Sequence, residues 1–457
     1  MTTLGIIFIS AYGIALFGGR RWVLFVLASS IAFNDSIVIE MGGATITPFY
    51  FGLIVYAICS FTIWRGPAAH GSRLHGRTTL IFLLAYCAFV TAISPALFAG
   101  LGVISAANGI DEQVQSLTPL AYTSSNFAQV AYLLLNVIFV WRTQRDGIFE
   151  RRHITIGLAV GAIVACTALI GNNWPHDLFD NSPRGFYTIE TGRSRGQFSE
   201  PSHLGAFAVT ATIYFGATLA RTKSMRRFAA YGVLTAMSVG LLYASASGTA
   251  AIGLGAAVFG MLAISLRSRR LGDLRLPVPM FLAGLATVVA LTLLLPNIIE
   301  VIRSIVDSKI GSTSLTNRSL VDQNSMSVFV KTFLIGAGDG SNRGSSLLLM
   351  LLSQIGLIGT TLFLVVAATS IFRGLSTNLN VPAALALIGF LSSAFVSLPD
   401  FASPILWSLI AVAHSATLIR DPVSAPATAD IAAECRVPGA IRPSFRWEVT
   451  TVKAPGT

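Results

Sequence analysis

Residues Leu347–Phe372 read LLLMLLSQIGLIGTTLFLVVAATSIF, a run without one charged side chain. A spanning helix needs about 20 mostly apolar residues, and this run exceeds that. It is one of many. Runs that meet or approach the same length are centred near Ile9, Ala28, Ile54, Leu84, Leu134, Ala162, Ala211, Ala236, Gly255, Ala286, Leu362, Leu387 and Ile410. They predict an all-α polytopic integral membrane protein with about 12–13 transmembrane helices, the first two short and forming a tilted pair. Small residues four apart, such as Gly253 and Ala257, predict close helix packing.

Composition agrees. Apolar residues make up 53% of the chain and charged residues 11%, against roughly 25% charged in a soluble domain. The mean hydropathy is +0.71. A large soluble domain is therefore excluded. The first run, Leu4–Phe17, has no basic flank before it and no A-x-A-like site after it, so no cleavable signal is expected. Cys59, Cys87, Cys166 and Cys435 lie in apolar runs or the tail, so no disulfide framework is expected.

A net charge of +11 would suit an anionic partner such as nucleic acid, but its distribution argues otherwise. All but eight of the 31 basic residues fall in alternate short loops (around Arg20, Arg65–Arg77, Arg142–Arg152, Arg221–Arg227, Arg267–Arg275 and Arg373) and the tail. That bias is the orientation signal of membrane proteins and predicts a cytoplasmic C-terminus. Trp22, Trp64 and Trp141 each stand within a residue of an arginine, as aromatic belts do. The reading is a membrane domain over 1–420 and a cytoplasmic tail over 421–457, Pro-, Ala- and Arg-rich and expected to be disordered.

The other eight basic residues gather in two long outer loops, 171–202 and 297–346. The second opens with NIIEVIRSIVDSKIG (Asn297–Gly311), where Ile298, Ile302 and Ile305 repeat at helical spacing. That pattern predicts an amphipathic helix lying in the outer interface.

The first loop ends in GRSRGQFSEPSHLGAF (Gly192–Phe207). Pro201 suits the first turn of a spanning helix, with Ser199 or Glu200 placed to cap it. Such a helix start beside Arg193 and Arg195 makes an anion site, since each guanidinium grips phosphate oxygens two at a time. Pairing of both arginines with Glu190 and Glu200, or with lipid headgroups, explains them equally well. Glu200 is a candidate proton acceptor if its pKa is raised near the membrane boundary; a simple helix cap is the alternative. His203 is a second candidate, against an ordinary hydrogen bond to a carbonyl.

The second loop continues as TNRSLVDQNSMSVFVKTFLIGAGDGSNRGSS (Thr316–Ser346). Gly336, Gly338 and Gly340 permit a tight turn with exposed backbone N–H groups, or an ordinary turn into a helix. Arg318, Lys331 and Arg343 add positive charge, and Asp339 is a third candidate acid. His176 and His414 are solitary, so no metal and no cofactor are expected.

Three of these places resemble the O-antigen polymerase and ligase superfamily, and most of all the Wzy-type exopolysaccharide and O-antigen polymerases. They are Arg195-Gly196-x-Phe198-x-Glu200-Pro201-Ser202; SASGTA (Ser245–Ala250); and Arg318 followed by FLIGAGDGS (Phe333–Ser341) and LLSQIGLIG (Leu351–Gly359). The resemblance extends to about Arg420. It implies a metal-independent membrane glycosyltransferase on the periplasmic face of the bacterial inner membrane. That enzyme would join oligosaccharide repeat units carried on undecaprenyl diphosphate, among membrane lipids, with a chain-length-regulating co-polymerase as a candidate partner and no nucleic acid. Arg193, Arg195, Arg318, Lys331 and Arg343 are then the diphosphate-binding set, and Glu200, His203 and Asp339 the catalytic set. Ligase members tend to carry a histidine before the G-x-x-G segment, where this chain has Arg343 nearby, and Gly248 follows Ser247 where an arginine is frequent. The missing histidine argues against an O-antigen ligase, which is nonetheless the nearer rival. A transporter or flippase for an anionic solute is the more distant one, because transporters keep their charges near the midplane.

Overall fold

The computed structural model describes residues 1–41, 44–64, 76–105, 117–146, 149–170, 178, 193–267, 313–377 and 379–415. The 297–311 segment, His176, Arg184, Glu190, the run near Ala286 and the tail lie outside them. Thirteen α-helices appear among the described residues: α1 Thr3–Gly18, α2 Arg20–Ser29, α3 Pro48–Thr62, α4 Arg77–Leu97, α5 Ser124–Asp146, α6 Arg151–Ile170, α7 Pro201–Leu219, α8 Met225–Ser245, α9 Gly248–Arg267, α10 Thr313–Lys331, α11 Leu347–Ser376, α12 Val381–Ser397 and α13 Pro404–His414. Of these, α4, α5, α6, α8 and α11 are long and apolar enough to cross a bilayer. Two small antiparallel hairpins, Ile39–Met41 with Ala44–Ile46 and Gly102–Val103 with Thr118–Pro119, sit between helices.

The first two apolar runs fold as a helix pair that turns at Gly19, a position with φ of 81°. The centre of the bundle is α7. Its residues are almost all buried, Leu204 and Phe207 completely, and it packs against α6, α8, α9 and α12. Few polar groups and many small ones are what permit a helix to be enclosed on every side. A Cβ on Gly205 would lie 2.7 Å from Ser247 Cβ, and one on Gly389 2.3 Å from Ile213, so backbones approach closely at both points. Gly253 likewise faces the Gly389 carbonyl and Ser393 of α12, as its spacing predicts.

Hydrogen bonds sort the connections to two ends. At one end Thr2 bonds the Ile37 carbonyl, Asn34 bonds Asp400, Arg193 bonds the Ser245 carbonyl, and Asn342 bonds Ile104. At the other, Arg142 bonds the Ser60 carbonyl, Tyr214 bonds the Arg151 carbonyl, and Asn380 bonds the Ser415 carbonyl. Among the described residues, the first end gathers Arg193, Arg195 and Glu200, and the second gathers Arg142 and Arg151.

The segment expected as the second long loop is partly helical. Its residues 313–331 form α10, which packs against α11. The glycine-rich stretch after it makes no exposed turn: residues 336–342 are all buried. It lies against a break in α11, where Gly356 takes φ 64° and ψ −168°. Ala337 and Gly338 donate to the Ser353 and Gln354 carbonyls, each at 2.8 Å, and Leu357 donates to the Leu334 carbonyl at 2.9 Å. The backbone groups freed by the break are thus satisfied by the loop. Non-helical backbone at membrane depth requires such protection.

Candidate functional site

Glu200 occupies the N-cap position of α7, and its carbonyl accepts from His203 N at 3.1 Å and from Leu204 N at 3.3 Å. Its side chain makes no capping bond. Instead Oε2 accepts a hydrogen bond from the Ser202 hydroxyl at 2.9 Å. Neither Ser199 nor Glu200 caps the helix through its side chain, so the residue is freed from the structural role its position suggested.

The sequence suggested a raised pKa for this carboxyl; the structure reverses that. Burial pushes it up, but the charge on His203, the Ser202 hydroxyl, and then Arg318 and Arg343 outweigh burial and hold it below the usual range. Glu200 is ionised at neutral pH. It remains able to accept a proton, as an anion held by three cations rather than as a reluctant acid.

His203 lies one turn inside α7. Its Nδ1 is 3.1 Å from Asp35 Oδ2 and 3.1 Å from Ser199 Oγ. Both contacts fall on the same nitrogen. A hydrolytic Ser-His-Asp triad needs serine and aspartate on opposite nitrogens, so this is not one. Asp35 follows the short 3₁₀ turn after α2 and is buried; its Oδ2 also accepts from Ser199 N at 2.6 Å. Burial would raise its pKa, yet His203 and the Ser199 N–H and hydroxyl hold it well below the ordinary carboxylate value. Asp400, between α12 and α13, is close enough to act on His203 and accepts from Asn34 Nδ2 at 2.6 Å.

Of the expected anion-binding residues, Arg318 and Arg343 come to Glu200 from the second outer segment. Arg193 and Arg195 flank the lead-in to α7. Arg193 Nε donates to the Ser245 carbonyl at the end of α8 (3.2 Å), and Arg195 Nη1 donates to the Phe198 carbonyl (3.3 Å). These bonds fix the loop and tie it to SASGTA, whose Ser247 packs on Gly205. Lys331 is different. It ends α10, thirteen residues from Arg318, about 20 Å along the helix, and is exposed.

Asp339 belongs to another neighbourhood. Its N–H donates to Thr91 Oγ1 at 2.9 Å, and its carbonyl accepts from Asn126 Nδ2 at 2.7 Å. Those partners lie on α4 and α5. Burial, opposed only by a hydrogen bond from the Gly340 backbone, pushes its carboxyl up to about 7.

A cleft of about 900 Å³ opens beside the cluster. Arg318, Ser319, Asp322 and Gln323 of α10 line it together with Ser345 and Leu349, and Asp322 is held by the Ser345 hydroxyl at 2.5 Å. The cleft wall is mostly apolar, with Leu320, Met326, Leu349 and Val396 beside the polar residues, and Arg318 is the member of the cluster that reaches it. It suits an amphipathic ligand with an anionic group near Arg318 and an apolar portion along the wall. The residues that sequence reasoning passed over are Asp35 and Asp400. Each is an acid at the end of an apolar run (FND and LPD), a placement that was visible but shared by other acids. No family model matches the chain, and no curated protein matches it in sequence.

Proposed function

We propose that this membrane protein is a metal-independent glycosyltransferase that polymerises oligosaccharide repeat units carried on undecaprenyl diphosphate, at the periplasmic face of a bacterial inner membrane. The observation that carries the reading is a buried, ionised Glu200 at the start of α7, hydrogen-bonded by Ser202 and within the electrostatic reach of His203, Arg318 and Arg343. In the transfer, the anomeric C–O bond to the diphosphate breaks and its electron pair leaves with the phosphate oxygen. The acceptor hydroxyl oxygen bonds the anomeric carbon and its proton passes to Glu200. Arg318 and Arg343 bear the charge growing on the diphosphate. Fixed cations in a water-poor site stabilise such charge without reorganising.

The break in α11 is a feature that transporters use to hold ions. Here the groups it frees are engaged by the 334–338 loop, and the flanking polar side chains are the uncharged Ser353 and Gln354. That observation favours transfer over transport.

The test is polymer formation from purified lipid-linked repeat units at matched protein levels. Glu200→Gln should lower turnover roughly 10²–10⁴-fold with normal membrane insertion. In cells, deletion should leave single repeat units attached and abolish long polymer. Unattached polymer accumulating instead would make the protein a ligase, and near-normal turnover of Glu200→Gln would remove Glu200 from the chemistry.

A further inference from the structure

Asp35 has no place in the transfer as written, yet one of its oxygens ties two parts of the site together. Oδ2 accepts from Ser199 N at 2.6 Å and faces His203 Nδ1 at 3.1 Å. The Asp35 side chain is 6% exposed and that of His203 20%. With Nδ1 turned inward to Asp35 and Ser199, the second ring nitrogen, Nε2, belongs to the edge turned away from them. Besides Asp35, the charged groups that act on this ring are Glu200 on the same helix start and Asp400 from the α12–α13 connection; Arg318 and Arg343 act in turn on Glu200.

We infer that Asp35 is a positioning residue that holds His203 as a cation with its Nε2–H directed at the open side, making it a third positive group, with Arg318 and Arg343, for the diphosphate of a lipid-linked donor. The inference rests on the reading given above and reverses the role expected for His203, from proton acceptor to hydrogen-bond donor. An imidazolium donates from both nitrogens. A carboxylate on Nδ1 is what fixes such a ring in charge and orientation. In the transfer, Nε2–H gives a hydrogen bond to a phosphate oxygen as the glycosidic bond breaks, and the hydroxyl proton still goes to Glu200.

The sign of one measurement separates this role from simple repulsion. Asp35→Asn removes a negative charge near an anion site. If Asp35 only repels the anion, a prenyl diphosphate should bind the variant more tightly or equally well; if it only holds the fold, the loss should extend to the melting temperature and Asp35→Asn should weaken binding as much in a His203→Gln background as in wild type. If Asp35 keeps His203 charged and aimed, the variant loses a cation along with the anion, and binding weakens. Farnesyl diphosphate is the probe, titrated into purified full-length protein in detergent. Wild type should bind, with Asp35→Asn and His203→Gln each weaker about tenfold, as expected for the loss of one charge-assisted hydrogen bond. The double variant should be no weaker than either single, since both act on one contact. Imidazole ¹⁵N signals of His203, assigned by their absence in His203→Gln, should move in Asp35→Asn while Asp35→Glu restores them in part.

Tighter or unchanged binding by Asp35→Asn, or an unmoved ¹⁵N spectrum, overturns the inference and leaves the polymerase reading standing. Wild-type protein that neither binds the prenyl diphosphate nor makes polymer overturns both.

Discussion

Asp339 Oδ2 is buried without a protein hydrogen-bond partner, and burial pushes the carboxyl from 3.8 to about 7. A carboxyl raised in the fold binds its proton more tightly there than in the unfolded chain. Its contribution to stability is present below about pH 4, is lost as pH rises toward 7, and changes no further above that. Asp339→Asn keeps the shape and carries no charge. Relative to wild type it should gain thermal stability between pH 5 and pH 8, by an amount on the order of a few kcal/mol; an equal difference at both pH values would refute the assignment. Residue scale is also where the sequence was least legible. Glu200, His203, Arg318 and Arg343 stood out because charge is rare in this chain. Asp35 did not, since its role depends on a partner 168 positions away, and no local spacing encodes that. Lys331 stood out for the same reason as Arg318, and helix geometry alone separates them.

At the scale of elements, periodicity and run length located the helices well, because burial in lipid demands intact helices over about 20 residues. Two features lay beyond that logic. Helix α10 is polar enough to read as loop, and its helicity comes from packing on α11. The break inside α11 hides in a run that reads as continuous. Only the pairing of its backbone with residues 334–338 reveals it. That pairing yields a sharp contrast among glycines. A Cβ at Gly336 would stand 2.4 Å from the Gln354 carbonyl oxygen, and one at Gly356 2.2 Å from those of Leu334 and Ile335. Both positions also have positive φ, 97° and 64°, costing roughly 1–2 kcal/mol for any side chain before the clash. Gly336→Ala and Gly356→Ala should therefore lower the melting temperature strongly and abolish activity. Gly232 and Gly240 in α8 meet nothing within 4 Å, so alanine at either should leave both properties intact. Tolerance of alanine at Gly356 would mean the break is not built as described.

At the scale of the molecule, the described residues place Arg193 and Glu200 at one end of the helices and Arg142 and Arg151 at the other, and labelling reports which end faces outward. Cysteines at the exposed Ser319 of α10 and the exposed Ser224 before α8 should label oppositely in intact spheroplasts, in a background cleared of native cysteines. An impermeant thiol reagent should reach the first and spare the second. Equal labelling would undo the orientation, and the periplasmic assignment with it.

The bond from Asn34 to Asp400 spans 366 positions, and it has a meaning for synthesis as well as for shape. The first acid of the cluster leaves the ribosome before α3 exists, while its last neighbours follow α12. Until then Asp35 and Glu200 have only part of their surroundings, and the pocket that holds their charges is unfinished. A chain released before α12 would carry Arg193, Arg195, Arg318 and Arg343 and still lack Asp400. The cluster is therefore complete only once almost all of the helices have been made.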